Sequence, residues 1–94
     1  PTACDALQTP ATFPINFAVL KERCAFGLAV TPAEVRAAQR FAFERLHLVI
    51  EPGGAAALAA ALAGKVALDG QTVLILSGGN TDPDSFAKVL AGKD

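Results

Sequence analysis

The run Thr72-Val73-Leu74-Ile75-Leu76 ends abruptly at Ser77-Gly78-Gly79-Asn80. In an α/β protein small molecules collect outside the carboxyl ends of strands. A hydroxyl at that place can hydrogen-bond a ligand, while the two glycines let backbone approach it closely. The plainer alternative is a strand-ending turn with Asn80 in the left-handed conformation. Glu51 is the second candidate, a carboxylate set between Val49-Ile50 and Pro52-Gly53-Gly54-Ala55. It is either a helix-start charge satisfied by free backbone N–H groups or an acid held beside a ligand. His47 has no second His, Cys or carboxylate at ligand spacing, which argues against a metal site. No spacing sets it against Ser77 as the base of a nucleophilic triad.

These groups need elements to hold them. Pro1 to Pro14 carries no helical or strand period and reads as irregular backbone. Ile15, Ala18, Val19 and Leu20 fit a short amphipathic helix closed by Lys21-Glu22-Arg23, cations that suit its carboxyl end. Ala25-Phe26-Gly27-Leu28-Ala29-Val30 reads as a short buried strand. Thr31-Pro32-Ala33-Glu34 combines an N-cap, a first-turn proline and a capping-box glutamate. The helix that follows places Val35, Ala38, Ala42 and Leu46 on one face, with Arg36, Gln39, Arg40 and Glu44 mainly elsewhere. Arg40 and Glu44, one turn apart, are expected to pair at the surface.

Leu48-Val49-Ile50 reads as a tight buried connection, because Pro52 forbids a regular helix through it. Glu51-Pro52 opens an alanine-rich helix over Ala55 to Ala63, with Gly64 as its cap. Asp69-Gly70 marks a turn, Thr72 to Leu76 a buried strand, and Thr81 or Asp82 with Pro83 the start of a last helix that runs to about Ala91. The order helix, strand, helix, helix, strand, helix is α/β. Two strands make no sheet of their own, and an apolar strand such as Val73 to Leu76 expects neighbours on both sides and helices on both faces. The sheet is therefore incomplete within this chain.

The 94 residues allow one domain at most, and a chain of that size buries only about 60–65% of its unfolded surface on folding. An apolar fraction of 52% is that of a globular chain. The net charge of −1, with both signs intermixed, offers no footprint for nucleic acid or an anionic membrane. The longest apolar stretch, Ala55 to Ala63, falls far short of the roughly 20 residues of a membrane span. Cys4 and Cys24 read as reduced structural thiols of a cytoplasmic protein. A start at Pro1 without an initiator Met leads us to expect a piece of a longer polypeptide.

Three stretches carry a resemblance: Thr31-Pro32-Ala33-Glu34-Val35, Arg45-Leu46-His47-Leu48-Val49-Ile50-Glu51-Pro52-Gly53-Gly54-Ala55, and Leu74-Ile75-Leu76-Ser77-Gly78-Gly79-Asn80-Thr81-Asp82. Together they closely resemble the C-terminal part of threonine/serine dehydratases. With serine racemase and the hydroxyaspartate dehydratases, these are fold-type II enzymes dependent on pyridoxal 5′-phosphate. The resemblance implies that residues 1–94 form a single segment, the C-terminal piece of a tryptophan-synthase-β-like three-layer domain whose N-terminal portion is absent. It also implies cofactor contacts at Ser77, Gly78, Gly79, Asn80, Glu51 and Ala6.

Ser77 would hydrogen-bond the pyridine nitrogen. A neutral hydroxyl cannot hold that nitrogen protonated as a carboxylate would, so the ring is a weaker electron sink, which favours loss of a β-hydroxyl over transamination. Glu51 would adjust proton traffic near the ring, and Gly78 and Gly79 would let backbone lie close to it. Ala6, in Ala3-Cys4-Asp5-Ala6, falls where many members have glycine.

The family's Schiff-base lysine, phosphate loop, substrate-carboxylate loop and divalent-cation ligands all lie upstream. No catalytic residue and no metal ligand is therefore assigned here, and Lys21, Lys65, Lys88 and Lys93 are not nominated. The implied activity is α,β-elimination on a hydroxy amino acid to a 2-oxo acid and ammonia, by a cytoplasmic homo-oligomer of which this segment alone would be inactive. Two other expectations stand beside it: a stand-alone, non-catalytic module that completes its sheet by oligomerising, and the same fold with racemase activity.

Overall fold

The computed structural model describes Cys4, Leu7 and residues 11–92. Among these residues four α-helices run in chain order: α1 (Pro14–Arg23), α2 (Pro32–Phe41), α3 (Ala56–Leu62) and α4 (Pro83–Leu90). A π-helical turn, Ala42–Leu46, extends α2, and a 3₁₀ turn, Gly53–Ala55, leads into α3.

α2 is the spine, and its start is set by local chemistry. The Thr31 side chain accepts from the Glu34 amide at 3.2 Å, and the Glu34 carboxylate accepts from the Thr31 amide at 2.7 Å. This is the reciprocal capping box that the four residues 31–34 imply. Val35, Ala38, Gln39 and Ala42 are all buried, the i, i+3, i+4, i+7 set of one helical face. Val35, Ala38 and Ala42 join Ile50, Ala55, Leu58 and Ala59 in a single core cluster. The alanines Ala38, Ala55 and Ala59 are wholly buried where α2 packs on α3, and side chains that small let the two backbones approach. α4 covers the other side of α2, where Phe86 meets Phe43 edge-to-face at 5.7 Å between ring centroids, the arrangement aromatic quadrupoles favour.

The helix ends follow equally local rules. After α3 the Gly64 amide donates to Ala61 O and the Lys65 amide to Ala60 O, with Gly64 at φ +73°. This is a complete Schellman motif, which satisfies carbonyls the helix leaves open. At α4 the cap is Asp82, which accepts from the Ser85 amide at 2.9 Å.

Several expectations are corrected. Leu46 is exposed, because the π-helical turn widens the last coil of the helix and rotates Leu46 off the face that Ala42 still occupies. His47 then ends the helix in the left-handed region, at φ 58°. Gln39, expected mainly off the core face, lies on it. Arg40 does not pair with Glu44; its Nη1 donates to Val89 O at 3.0 Å and ties α2 to α4. Of Leu48-Val49-Ile50 only Ile50 is buried. α1 forms where expected, yet none of its residues is buried.

The largest correction concerns the strands. Among the described residues no strand is paired, so the α/β sheet of the expected three-layer domain is not formed by them. Phe26 and Leu28 are exposed. In the terminal run Val73 and Ile75 are 83% and 75% exposed, whereas Leu74 and Leu76 pack against the core. That two-residue alternation is the geometry of an extended strand with one face seated on helices. Nothing among the described residues covers its other face, and a ladder cannot form without a neighbouring strand. The Cα radius of gyration, 14.2 Å, exceeds the roughly 12–13 Å of a compact domain of this length, in keeping with an α1 that buries none of its residues.

One tether holds the segment before α2. The Lys65 ammonium donates to Ala29 O and to the Glu34 carboxylate, each at 2.8 Å. The Lys65 hydrogen bond first, then the Thr31 amide, hold the Glu34 carboxyl below its usual value of 4.5. A depressed carboxyl contributes stability that is fully present above its unfolded pKa and lost as pH falls through the folded one. Stability should therefore decline as pH drops below 4.5, with a shallower slope in Lys65→Gln. Because both groups meet solvent, about 0.5 M salt should weaken the difference. Equal acid slopes for the two proteins in urea titrations would remove the tether from the account.

Candidate functional site

The Glu-Pro-Gly-Gly turn and the Ser-Gly-Gly turn meet. The Glu51 amide donates to Gly78 O at 2.9 Å, and the Ser77 amide donates to Gly54 O at 3.3 Å. These two backbone bonds clasp the start of the 3₁₀ turn to the end of the extended run. Gly54 sits so close to Ser77 that a Cβ there would overlap the Ser77 carbonyl. Gly78 lies at φ +70°, and a Cβ on it would run into the Glu51 carboxyl group. It is thus Gly78 that takes the left-handed conformation, and not Asn80. A Cβ on Gly79 would stand 3.1 Å from Val49 O.

Around this clasp lies a cleft of about 210 Å³ lined by Leu48, Val49, Ile50, Leu76, Ser77, Gly78 and Gly79. Of the expected site residues, Ser77, Gly78 and Gly79 line it directly. Glu51 stands beside it, half-buried, with its carboxyl against Gly78. Asn80 is exposed and outside the lining; the turn there closes through the Thr81 amide on Gly79 O at 2.9 Å. Ala6 lies outside the described residues. The Ser77 hydroxyl has no hydrogen-bond partner among the described residues. The cleft therefore offers one hydroxyl, a floor of backbone without side chains, apolar walls and a neighbouring carboxylate. A small ligand with an apolar body and a hydrogen-bonding group suits such a lining.

Two contributors escaped the sequence reading. Gly54 was not singled out, although the Gly53-Gly54 pair after Glu-Pro signals a close backbone approach. Gln39 is 1% exposed, and its Nε2 donates to Ile50 O at 2.9 Å. Its Oε1 is buried with no partner among the described residues. A buried acceptor left unmade costs about 1–3 kcal/mol. Its place four residues after Val35 was the available signal. Lys65 is engaged at Ala29 and Glu34, Lys21 and Lys88 lie on α1 and α4, and none of the three lines the cleft. Lys93 lies outside the described residues. No group of three or more His, Cys, Asp or Glu among the described residues is placed to hold a metal ion, and no helix among them is long and apolar enough to cross a membrane.

Curated proteins align with nearly all of the chain. It is 35% identical over 94 residues to L-threo-3-hydroxyaspartate ammonia-lyase of Saccharomyces cerevisiae, which covers 99% of the chain and 29% of that protein. It is 37% identical over 92 residues to serine racemase of Dictyostelium discoideum, covering 95% and 28%. Phenylserine dehydratase of Ralstonia pickettii is 36% identical over 88 residues, covering 92% and 27%. No family model matches the chain, and no solved structure does. Likeness of this extent makes the chain homologous to the C-terminal part of the fold-type II pyridoxal-phosphate enzymes of the threonine/serine dehydratase group. It spans under a third of the length of the relatives it matches, 27–29%.

Proposed function

We propose that this chain supplies the ring-facing wall of the cofactor site in a pyridoxal 5′-phosphate-dependent hydroxy amino acid ammonia-lyase, and that the remaining two layers and the reactive lysine come from further polypeptide. The observation that carries the reading is the clasp of Ser77-Gly78 on Glu51-Gly54, with an unpartnered hydroxyl and side-chain-free backbone on one cleft. The bare backbone of Gly78 and Gly79 on the cleft lining leaves a flat aromatic ring room to lie against it. The uncovered face at Val73 and Ile75 further supports a segment that expects more chain.

When bound, pyridoxal phosphate supplies an electron sink for a carbanion at the substrate α-carbon. The chain's own residues perform the rest of this wall's work. Ser77 would offer its hydroxyl to the ring nitrogen; being neutral, it would leave that atom unprotonated and the sink modest, which would favour departure of a β-substituent. Gly78 and Gly79 keep the floor bare, so that a ring could lie close to backbone. Glu51 holds a carboxylate beside Gly78, where it can accept or return a proton on that side. Homo-oligomeric assembly and a cytoplasmic setting belong to the same proposal, as does inactivity of the isolated segment, since no lysine among the described residues lines the cleft.

The test is Ser77→Ala in the complete enzyme. No hydrogen bond of the fold is lost, so stability should stay within about 0.5 kcal/mol. Cofactor affinity should fall about tenfold, the equivalent of one charge-free hydrogen bond of roughly 1.4 kcal/mol, with a shifted cofactor absorbance. Unchanged affinity and absorbance would remove Ser77 from the ring. Turnover of threonine or serine by the isolated 94 residues with added cofactor would overturn the division of labour.

A second reading is favoured by the same exposed strand face: the chain completes its layers with another copy of itself. Light scattering separates the two, because self-completion requires a dimer of the segment at low concentration. Racemisation on the same wall is supported by the serine racemases among the relatives, at 37% and 33% identity.

A further inference from the structure

We infer that Gln39 is a positioning residue for the cofactor wall, acting through the carbonyl of Ile50. This rests on the functional reading above. Gln39 lies in the last turn of α2 and does not itself line the cleft. Its amide Nε2 donates to Ile50 O, 11 residues on, at 2.9 Å. Ile50 is itself part of the cleft wall. The next residue, Glu51, donates its amide to Gly78 O and sets its carboxyl against Gly78.

The route is short and continuous. α2 holds the Gln39 amide, the amide holds the Ile50 carbonyl, and the Ile50–Glu51 peptide therefore presents its N–H to Gly78. The orientation of that peptide decides which way the Glu51 amide points, because a peptide unit is planar and its C=O and N–H point in opposite directions. Release of the Ile50 carbonyl frees the peptide to rotate, which breaks the Glu51 to Gly78 bond and loosens one half of the clasp.

The half-satisfied state of Gln39 points the same way. Its Oε1 is buried without a partner among the described residues, in a face otherwise made of Val35, Ala38 and Ala42. An apolar side chain would suit that face better for packing alone. A residue that compromises the core to hold one carbonyl of a ligand wall is the pattern of a site paid for in local consistency. The amide orientation is fixed by the same bond, since the reverse flip would set two oxygens against each other.

The experiment uses the complete enzyme with Gln39→Met, which keeps length and volume and removes the donor, and Gln39→Glu, which keeps the shape and can donate only when protonated. Amide exchange in the cofactor-free protein should rise locally at Glu51, by about tenfold, while amides of α3 and α4 keep their rates, and Tm should move by no more than about 5 °C. Pyridoxal phosphate affinity should fall about tenfold in Gln39→Met. In Gln39→Glu it should recover as pH is lowered toward protonation of the new carboxyl.

Uniform faster exchange in step with a lower Tm would make Gln39 a core residue only and overturn the inference. So would local exchange at Glu51 with affinity unchanged. If Gln39→Met does not fold, the pH-dependent recovery in Gln39→Glu decides, and its absence counts against the inference. Ser77→Ala run in parallel separates the two claims. If it too leaves the cofactor untouched, the functional reading fails, whereas an effect of Ser77→Ala alone sinks only the role of Gln39.

Discussion

Gly54→Ala should destabilise the protein by roughly 3 kcal/mol, the upper part of the usual range for an overpacked site, and, on the function proposed above, should strip the cofactor from the complete enzyme. The new Cβ would meet the Ser77 carbonyl, a backbone atom that cannot turn aside as the tip of a side chain can, and Ile50 Cγ2 stands 3.0 Å away on another side. Relief requires that Ser77 move away from the 3₁₀ turn, which breaks the Ser77 to Gly54 hydrogen bond and carries the Ser77 hydroxyl out of the cleft. Stability and cofactor content should therefore fall together. The control is Gly64→Ala, at the cap of α3, where φ is +73° but a Cβ meets nothing. It should cost only the left-handed strain of about 1–2 kcal/mol and leave cofactor affinity alone. A Gly54→Ala protein with a wild-type urea midpoint would mean that the two turns are not clasped in solution.

The second large effect is a coupling. Gly78→Ala carries left-handed strain of about 1–2 kcal/mol and pushes the Glu51 carboxyl from its place, since its Cβ would meet that group first. Glu51→Ala empties the contested space. In the double variant the steric part of the Gly78 penalty disappears and the strain remains, so the combined loss should be smaller than the sum of the single losses by about 1 kcal/mol, in the range found for residues in contact. Urea midpoints of the four proteins give the cycle directly. Additivity within about 0.3–0.5 kcal/mol would show that the carboxyl does not pack on Gly78. Cofactor affinity should follow a different order: Glu51→Ala and Gly78→Ala each weaken it, and the double variant does not recover it, because emptying the space restores packing and not the carboxylate.

Much of the helical framework was legible in the residues. Thr31, Pro32 and Glu34 announced the start of α2, Gly64 announced the end of α3, and Asp82 with Pro83 announced the start of α4, because caps are local chemistry written within four residues. The turn at Ser77-Gly78-Gly79 was legible for the same reason. Leu46 was misplaced because its position depends on a π-helical turn, and the choice between 3.6 and wider coiling is made by packing. Gln39 was misread because polarity suggested an outward side chain, whereas its partner is a carbonyl 11 residues away. Gly54 gave no sign of its neighbour, since Ser77 lies 23 positions further along.

The strands mark the boundary most clearly. The apolar runs at 25–30 and 72–76 promised a buried sheet, and the second does seat Leu74 and Leu76 on the helices. Pairing is a property of two strands, however, and no neighbour is present among the described residues to accept the ladder. The sequence by itself determined where helices begin and end, which turn carries the hydroxyl and the bare glycines, and which group of enzymes the chain is kin to. Only the tertiary structure decided that the Glu51–Gly54 turn and the Ser77–Gly79 turn clasp one cleft, that Gly78 and not Asn80 is left-handed, and that α2 reaches that cleft through Gln39. The physical reason is range: capping and turn chemistry act within a few residues, while the clasp joins groups more than 20 positions apart, whose meeting depends on how α2, α3 and the terminal run pack around Val35, Ala38 and Leu58.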